Sequence, residues 1–355
     1  MATIDKDVVI VGAGFAGIYA LHKMRELGLD AIVLERGTGV GGTWFWNRYP
    51  GARCDAESVF YSYSFSHELD QEWNWTERFP TQDEILQYLN HVVDRFALAD
   101  GIELETEVVS AVYDERANRW TVRSASGDSY TARYCIMATG CLSIGRVPDF
   151  AGLEDYRGEV YHTGSWPHEG VDFAGKRVAV IGTGSSGIQA IPVIAKEAGN
   201  LTVFQRTPNF TVPACNAPLD PEYVREIKGQ LPELRQKARY SPNGAAYDLN
   251  PKGALEVPAE ERHAVYQKHW DEGGPLYMAA FSDLLLNEES NRTAVEFLHA
   301  KVDEIVDDPR TAELLKPRGY PMGTKRICVD TDYFATFNRD NVNLVDLLST
   351  PIERL

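Results

Sequence analysis

Two glycine-rich turns, each entered from an apolar strand and left through a helix, constrain this chain more than any other feature. Asp7–Val11 reads DVVIV, a run short and β-branched enough for a strand buried in a parallel sheet. It leads directly into Gly12-Ala-Gly14-Phe-Ala-Gly17, then a helical pattern from Gly17 to about Leu27, then a second strand, AIVLE, ending on Glu35. The same order returns at Arg177–Ile181 (RVAVI), followed by Gly182-Thr-Gly184-Ser-Ser-Gly187, a helix and LTVFQ. Glycines at these spacings permit a tight turn and let the backbone approach a pyrophosphate at a helix N-terminus. The expected fold class is α/β, with two Rossmann-like dinucleotide-binding domains whose turns lie about 170 residues apart.

The residue after each second strand separates the two sites chemically. Glu35 lies 23 residues after Gly12 and can accept hydrogen bonds from ribose hydroxyls, which suits FAD or NAD. The same count from Gly182 reaches Gln205, followed by Arg206. An acid there repels a ribose 2′-phosphate, whereas an arginine pairs with one, so the second site suits NADP. Two such folds in one chain fit a flavoprotein that takes hydride from NADPH. Between them, Tyr134-Cys-Ile-Met-Ala-Thr-Gly140 reads as an apolar strand ending in a glycine turn.

Composition narrows the function further. A net charge of −17 over 355 residues argues against a nucleic-acid or anionic-membrane partner, and obliges any phosphate ligand to find local basic residues. Five scattered cysteines show no paired or metal-binding spacing, which reads as a reducing compartment. No secretory signal precedes the first strand, and no apolar run approaches the roughly 18 residues of a membrane span. The expected setting is cytoplasmic. No GxSxG elbow surrounds Ser185 or Ser186, no histidine pair has zinc-binding spacing, and no redox cysteine pair follows the first turn. A hydrolase, a metal site and a disulfide reductase are all unsupported.

The segment before the second turn is more specific. Tyr156-x-Gly158-x-x-x-His162-x-x-x-Trp166-Pro167 resembles the fingerprint of the Baeyer–Villiger monooxygenases, with Tyr156 where the family usually has Phe. Related flavin N- and S-oxygenases end that motif differently. Gly41–Asp55 (GGTWFWNRYPGARCD) resembles the family's flavin-contacting segment, and Gly319–Asp330 (GYPMGTKRICVD) its catalytic-arginine segment. The resemblance covers essentially the whole chain, closest to the phenylacetone- and steroid-monooxygenase branch.

The resemblance implies an enzyme that uses FAD, NADPH and O2 to convert a ketone to an ester or lactone through a C4a-peroxyflavin. Arg326 is then the catalytic residue, stabilising negative charge, with Asp55 holding its guanidinium in a hydrogen-bonded ion pair that keeps the carboxylate ionised. The implied cofactor contacts are Gly12, Gly14, Gly17, Glu35, Thr43, Trp44, Asp55 and Tyr61, with Gly182, Thr183, Gly184, Ser185, Ser186, Gln189, Arg206, Thr207 and Lys325. Arg206 and Lys325 would meet the 2′-phosphate. Gly158, His162, Trp166 and Pro167 form a linker between cofactor folds, with Trp166 read as exposed. Cys141 and Leu142 fall where the family places variable residues near substrate. Two other readings stay open: a flavin N- or S-monooxygenase, and a fragment that binds dinucleotide without turnover.

The expected organisation is an FAD domain over 1–143, an NADP domain over 144–219 and 317–345, and a helical insertion over 220–316, where the sequence turns charged and helix-favouring. Residues 346–355 would begin a return to the FAD domain whose remainder, judged against longer family members, is absent. Thr81–Ala97 reads as an amphipathic helix, Gly101–Arg133 as antiparallel strands around Ser126–Ser129, and Val342–Val345 as a returning strand.

Overall fold

The structure is a computed structural model that describes residues 3–241 and 244–355. The chain divides into two compact units: residues 1–49, 82–148 and 159–170 form one, and residues 50–81, 149–158 and 171–355 the other.

The first unit is built on a six-stranded mixed sheet. Its strands are β1 (Thr3–Val11), β2 (Ala31–Leu34), β3 (Ile102–Glu103), β4 (Val108–Asp114), β5 (Arg119–Ser124) and β6 (Ser129–Met137), in the order β3-β2-β1-β6-β5-β4. The apolar half of β1 sits at the centre, so Val8, Val9 and Ile10 are wholly buried. β1 runs parallel to β2 on one side and to β6 on the other, from Thr3 opposite Ser129 to Val11 opposite Met137. The Tyr134–Met137 run is therefore the second half of one long strand. Its first half turns antiparallel into β5 around Ser124–Asp128, where the Asp128 N–H donates to Ser124 Oγ at 3.1 Å. The helix Phe15–Glu26 follows the first glycine turn. The helix Gln82–Arg95 buries Ile85, Tyr88, Leu89, Val92 and Val93, the i, i+3, i+4, i+7 stripe that its amphipathic sequence predicts. Met137, Ile144 and Val147, at and beyond the end of β6, are exposed apolar side chains.

The second unit holds a three-stranded parallel sheet, β11-β8-β7, made from β7 (Arg177–Ile181), β8 (Asn200–Gln205) and β11 (Val342–Asp346). The helix Ser185–Glu197 buries Ile188, Ile191 and Ile194. A second, two-stranded parallel pair joins β9 (Thr211–Pro213) to β10 (Cys328–Asp330). These strands flank the charged stretch, so the chain leaves for and returns from its helical excursion through adjacent strands. That stretch contains helices Pro221–Tyr240, Ala259–Glu272, Glu288–Ile305 and Pro309–Leu315. Asp220, Asn287 and Asp308 cap three of them, the first two each accepting two backbone N–H groups of the first turn and Asp308 accepting that of Thr311. Tyr266, Tyr277, Phe281, Phe297, Phe210 and Val212 share one aromatic-rich core beneath the excursion.

Residues 50–81 do not follow the sequence division: although continuous with the first glycine-turn fold, they pack in the second unit. The Phe79 N–H donates to Asn216 Oδ1 at 2.9 Å, and Arg53 and Asp55 bond to Gln189. Among the described residues no helix is long and apolar enough to cross a membrane.

Candidate functional site

Each glycine turn has the same steric signature. Gly12 and Gly182 take φ values of 101° and 103°, a region closed to most side chains. A Cβ on Gly17 would fall 1.8 Å from the Gly12 carbonyl oxygen, and one on Gly187 would fall 2.3 Å from that of Gly182. The glycines thus let each helix start against its own turn. Both helices begin after a glycine cap that offers no side-chain hydrogen bond, and neither has an acid in its first turn. A helix N-terminus of this kind presents backbone N–H groups and the positive end of its dipole, which suit an anion. Space in front of Gly184 is open. A dinucleotide pyrophosphate fits both turns on these grounds.

In the first unit, Glu35 is buried and already anchored. Its carboxylate accepts the N–H groups of Ala13 and Gly37, each at 2.7 Å, which aims it at the glycine turn. The Gly41 N–H donates to the Ala13 carbonyl at 2.9 Å, bringing the Gly41–Trp46 segment against the turn. Thr43 is exposed and Trp44 buried. The Trp44 carbonyl accepts from the side chain of Gln82, a buried polar residue that no spacing in the sequence singled out. Beside Glu35, a cleft of about 450 Å³ is lined by Arg36, Trp46, Glu105 and His168, with the Arg36 guanidinium 5.0 Å from the Trp46 ring centre.

The fingerprint residues divide between the units, Tyr156 and Gly158 in the second, His162, Trp166 and Pro167 in the first. His162 Nδ1 accepts the Gly164 N–H at 3.1 Å, and its ring fills the space a Cβ on Gly145 would need. Trp166 is buried, not exposed: its N–H reaches the Trp46 carbonyl at 3.4 Å and its ring packs 5.5 Å from that of Tyr161. A tryptophan set among Gly, Ser and Pro has a surface-like sequence, and its burial depends on contacts with segments distant in sequence.

In the second unit the structure brings Ser185, Gln189, Asp55 and Arg326 together. Gln189 Nε2 donates to Asp55 Oδ1 at 3.0 Å and to the Arg53 carbonyl at 3.2 Å. Ser185 Oγ lies 3.5 Å from Asp55 Oδ2. Arg326 Nη2 stands 3.7 Å from the same oxygen, an ion-pair distance too long for a hydrogen bond. Asp55 is 8% exposed while the Arg326 side chain is 74% exposed. Burial pushes the Asp55 pKa up from the usual carboxylate value, and Arg326, Ser185 and Gln189 partly oppose this. Burial also pushes Cys54 and Cys328, on either side of the pair, up to about 12, so neither is a thiolate nucleophile near neutral pH. Asp330 in β10 is also buried, and burial pushes its pKa up to about 6.

A second group surrounds the end of β8. Thr183 Oγ1 donates to the Thr207 carbonyl at 3.2 Å, and Asn209 Nδ2 donates to the Thr183 carbonyl at 2.6 Å. Arg206 is exposed beside them. Gln205 is buried, its amide donating to the Leu314 carbonyl at 2.7 Å. Lys325 is exposed and stacks on Tyr320. Ser186 begins the helix with Ser185. Tyr61 follows the short 3-10 turn Ser58–Phe60. Tyr320 and Asp330 are residues whose contacts the sequence did not disclose.

Two dinucleotide turns, one with an acid after its second strand and one with an arginine, are the pattern of the pyridine-nucleotide-linked oxidoreductase class. The family model described as pyridine nucleotide-disulphide oxidoreductase matches residues 9–241. Phenazine N-monooxygenase of Lysobacter antibioticus is 43% identical over 352 residues, 98% of this chain and 64% of that protein. Acetone monooxygenase (methyl acetate-forming) of Gordonia sp. (strain TY-5) is 40% identical over 356 residues, all of this chain and 67% of that protein. A solved structure of oxidized steroid monooxygenase bound to NADP superposes with a TM-score of 0.96 at 53% identity, covering 99% of this chain and 67% of that one. The chain belongs to the Baeyer–Villiger monooxygenase family of flavoproteins. It spans about two thirds of the length of the curated relatives it matches.

Proposed function

We propose that the protein is an FAD- and NADPH-dependent Baeyer–Villiger monooxygenase that inserts one atom of O2 between a ketone carbonyl and its neighbouring carbon. The balance is ketone, O2, NADPH and one proton giving ester or lactone, NADP+ and water. The observation that carries this reading is the Asp55–Arg326 pair, fastened through Gln189 to the helix that begins at the second glycine turn. Bound FAD would accept hydride from NADPH and carry the activated oxygen, chemistry no side chain here supplies.

The residues of this chain do the positioning and the electrostatics. Gly12, Gly14, Gly17 and Glu35 would hold the FAD pyrophosphate and ribose, with Thr43 and Trp44 toward the flavin. Gly182–Ser186 would hold the NADP pyrophosphate, with Arg206, Thr207 and Lys325 toward the 2′-phosphate. Arg326, tethered to Asp55 by charge and largely exposed, can turn its guanidinium toward a substrate carbonyl oxygen and stabilise the negative charge that builds there. Asp55 limits how far it swings. We assign FAD to the first unit and NADP to the second, and a reducing, cytoplasmic setting agrees with five free cysteines.

Acetone and cyclohexanone in the names of relatives support a small ketone as substrate. The phenazine N-monooxygenase among them supports a second reading, oxygen transfer to an aromatic nitrogen. One experiment separates the two: the purified protein with FAD, NADPH and 18O2 is offered acetone, cyclohexanone or phenazine, with products read by mass spectrometry. An ester carrying one labelled oxygen supports the ketone reading. A labelled N-oxide without ester supports the second. A protein that holds no flavin and consumes no NADPH beyond background overturns both, leaving a chain that binds dinucleotide without turnover.

A further inference from the structure

Three consecutive residues after β8 are held from two directions. The glycine turn takes Thr207 and Asn209, through Thr183 Oγ1 to the Thr207 carbonyl and Asn209 Nδ2 to the Thr183 carbonyl. Between them, the Pro208 carbonyl accepts the hydroxyl of Tyr320 at 2.6 Å. The same tyrosine carries Lys325, whose Nζ lies 4.6 Å from the ring centre. The ring is itself fixed, edge-on to Phe210 at 5.5 Å and 76°. Burial holds the Tyr320 hydroxyl up at about 12, so it stays a donor throughout the physiological range.

One rigid side chain thus links two segments 112 residues apart in sequence. One segment bears Arg206, two positions before Pro208, and the other bears Lys325. A free lysine has a long stem and three rotatable donors, so it loses much conformational freedom on seating a phosphate. Stacking over a tyrosine face removes part of that freedom beforehand. We propose that Tyr320 is a specificity-determining positioning residue, its ring seating Lys325 and its hydroxyl fixing the Arg206 segment, so that both cations serve a ligand's 2′-phosphate. The inference rests on the assignment of NADP to the second glycine turn. It adds the residue that makes two exposed cations a preorganised pair.

The test is calorimetric binding of NADP+ and of NAD+ to the full 355-residue chain, for the natural protein, Arg206→Ala, Tyr320→Leu and Tyr320→Phe. Tyr320→Leu should weaken NADP+ binding roughly 3- to 30-fold, the range of a lost cation–π contact, and leave NAD+ unchanged. Tyr320→Phe keeps the ring, so its selective loss should be smaller, roughly 2- to 10-fold for one hydrogen bond. Equal weakening of both nucleotides would mark Tyr320 as a packing residue and overturn the inference, as would unchanged NADP+ binding. If Tyr320→Leu fails to fold, Tyr320→Phe decides by the same ratio. A natural protein that does not prefer NADP+, or an Arg206→Ala variant with unaltered preference, overturns the NADP assignment and this inference with it. Selective loss in Arg206→Ala without selective loss in either tyrosine variant overturns the inference alone.

Discussion

Gln189 Nε2 lies 3.0 Å from Asp55 Oδ1 and 3.2 Å from the Arg53 carbonyl oxygen, so a single amide group holds both ends of the Arg53–Asp55 turn. Its Oε1 completes the clasp by accepting the Arg53 N–H at 3.4 Å. Gly51 makes room for this: a Cβ there would sit 2.5 Å from the Gln189 carbonyl oxygen. Asp55 is a buried carboxylate whose charge is supported by one amide, one long hydroxyl contact and one long ion pair. Burial outweighs that support, so each remaining donor matters to its ionisation.

Replacing Gln189 by Leu should raise the Asp55 pKa further and loosen the Arg53–Asp55 turn, at a cost of about 1–3 kcal/mol for unpaired buried groups. The readout is the Asp55 carboxyl signal in a carbon-13 NMR titration of aspartate-labelled protein. A folded variant whose Asp55 titrates as in the natural protein contradicts the role given to Gln189.

Arg326→Ala should abolish oxygen transfer yet leave hydride transfer from NADPH to flavin intact, since the guanidinium is assigned to charge on the substrate oxygen. Rapid mixing under anaerobic conditions reads the reduction, and product analysis in air reads the transfer. Removing the cation also withdraws a Coulombic support that lowers the Asp55 pKa. The carboxyl should therefore titrate higher than in the natural protein, a readout independent of turnover. Ester formation at the natural rate would remove Arg326 from the mechanism.

The glycine turns offer a test of which cofactor goes where. Gly17→Ala places a methyl 1.8 Å from the Gly12 carbonyl, and Gly187→Ala places one 2.3 Å from the Gly182 carbonyl, both backbone atoms that cannot rotate away. Gly17→Ala should lose the visible flavin band after desalting. Gly187→Ala should keep it and lose NADP+ binding by at least about tenfold, if the resulting shift costs 1.4 kcal/mol or more. The opposite pattern would exchange the two assignments.

Much of this was legible from short-range pattern. The strands Asp7–Val11 and Arg177–Ile181 and their glycine turns were readable because a tight turn against a helix leaves a local steric trace. Glu35 was readable from its distance after Gly12. What pattern could not reveal was contact between distant segments. Gln189 meets Asp55 across 134 positions and Tyr320 meets Pro208 across 112, and nothing in the spacing of either pair marks the encounter. The placement of 50–81 in the second unit has the same origin, since Arg53, Asp55 and Phe79 find their partners there. The balance of forces on Asp55 was not legible either, because a sequence names a charge partner but not its distance. At 3.7 Å, Arg326 lowers the carboxyl pKa less than burial raises it.

Asp330 supplies a stability test that needs no cofactor. It is buried in β10, where Oδ1 accepts the Tyr333 N–H and Oδ2 accepts the Thr211 hydroxyl, both at 3.1 Å. Burial raises its pKa from 3.8 to about 6, nearby Asp332 adds to the rise, and the two hydrogen bonds oppose it. The folded protein therefore takes up this proton before the unfolded chain does. Its contribution to stability is fully present below about pH 4, where an unfolded aspartate is also protonated, and is lost as pH rises through about 6. The loss is on the order of 2–3 kcal/mol between those limits. Asn at this position keeps an oxygen for the Tyr333 N–H and gives Thr211 an amide donor, with no charge to bury. Asp330→Asn should accordingly be more stable than the natural protein at pH 8 by about 1–3 kcal/mol, with the difference shrinking toward pH 4. Urea unfolding at pH 4.5, 6 and 8 measures it. A variant equally destabilised at all three values would mean that the carboxylate is matched to its partners in the charged form, and that burial does not govern its titration.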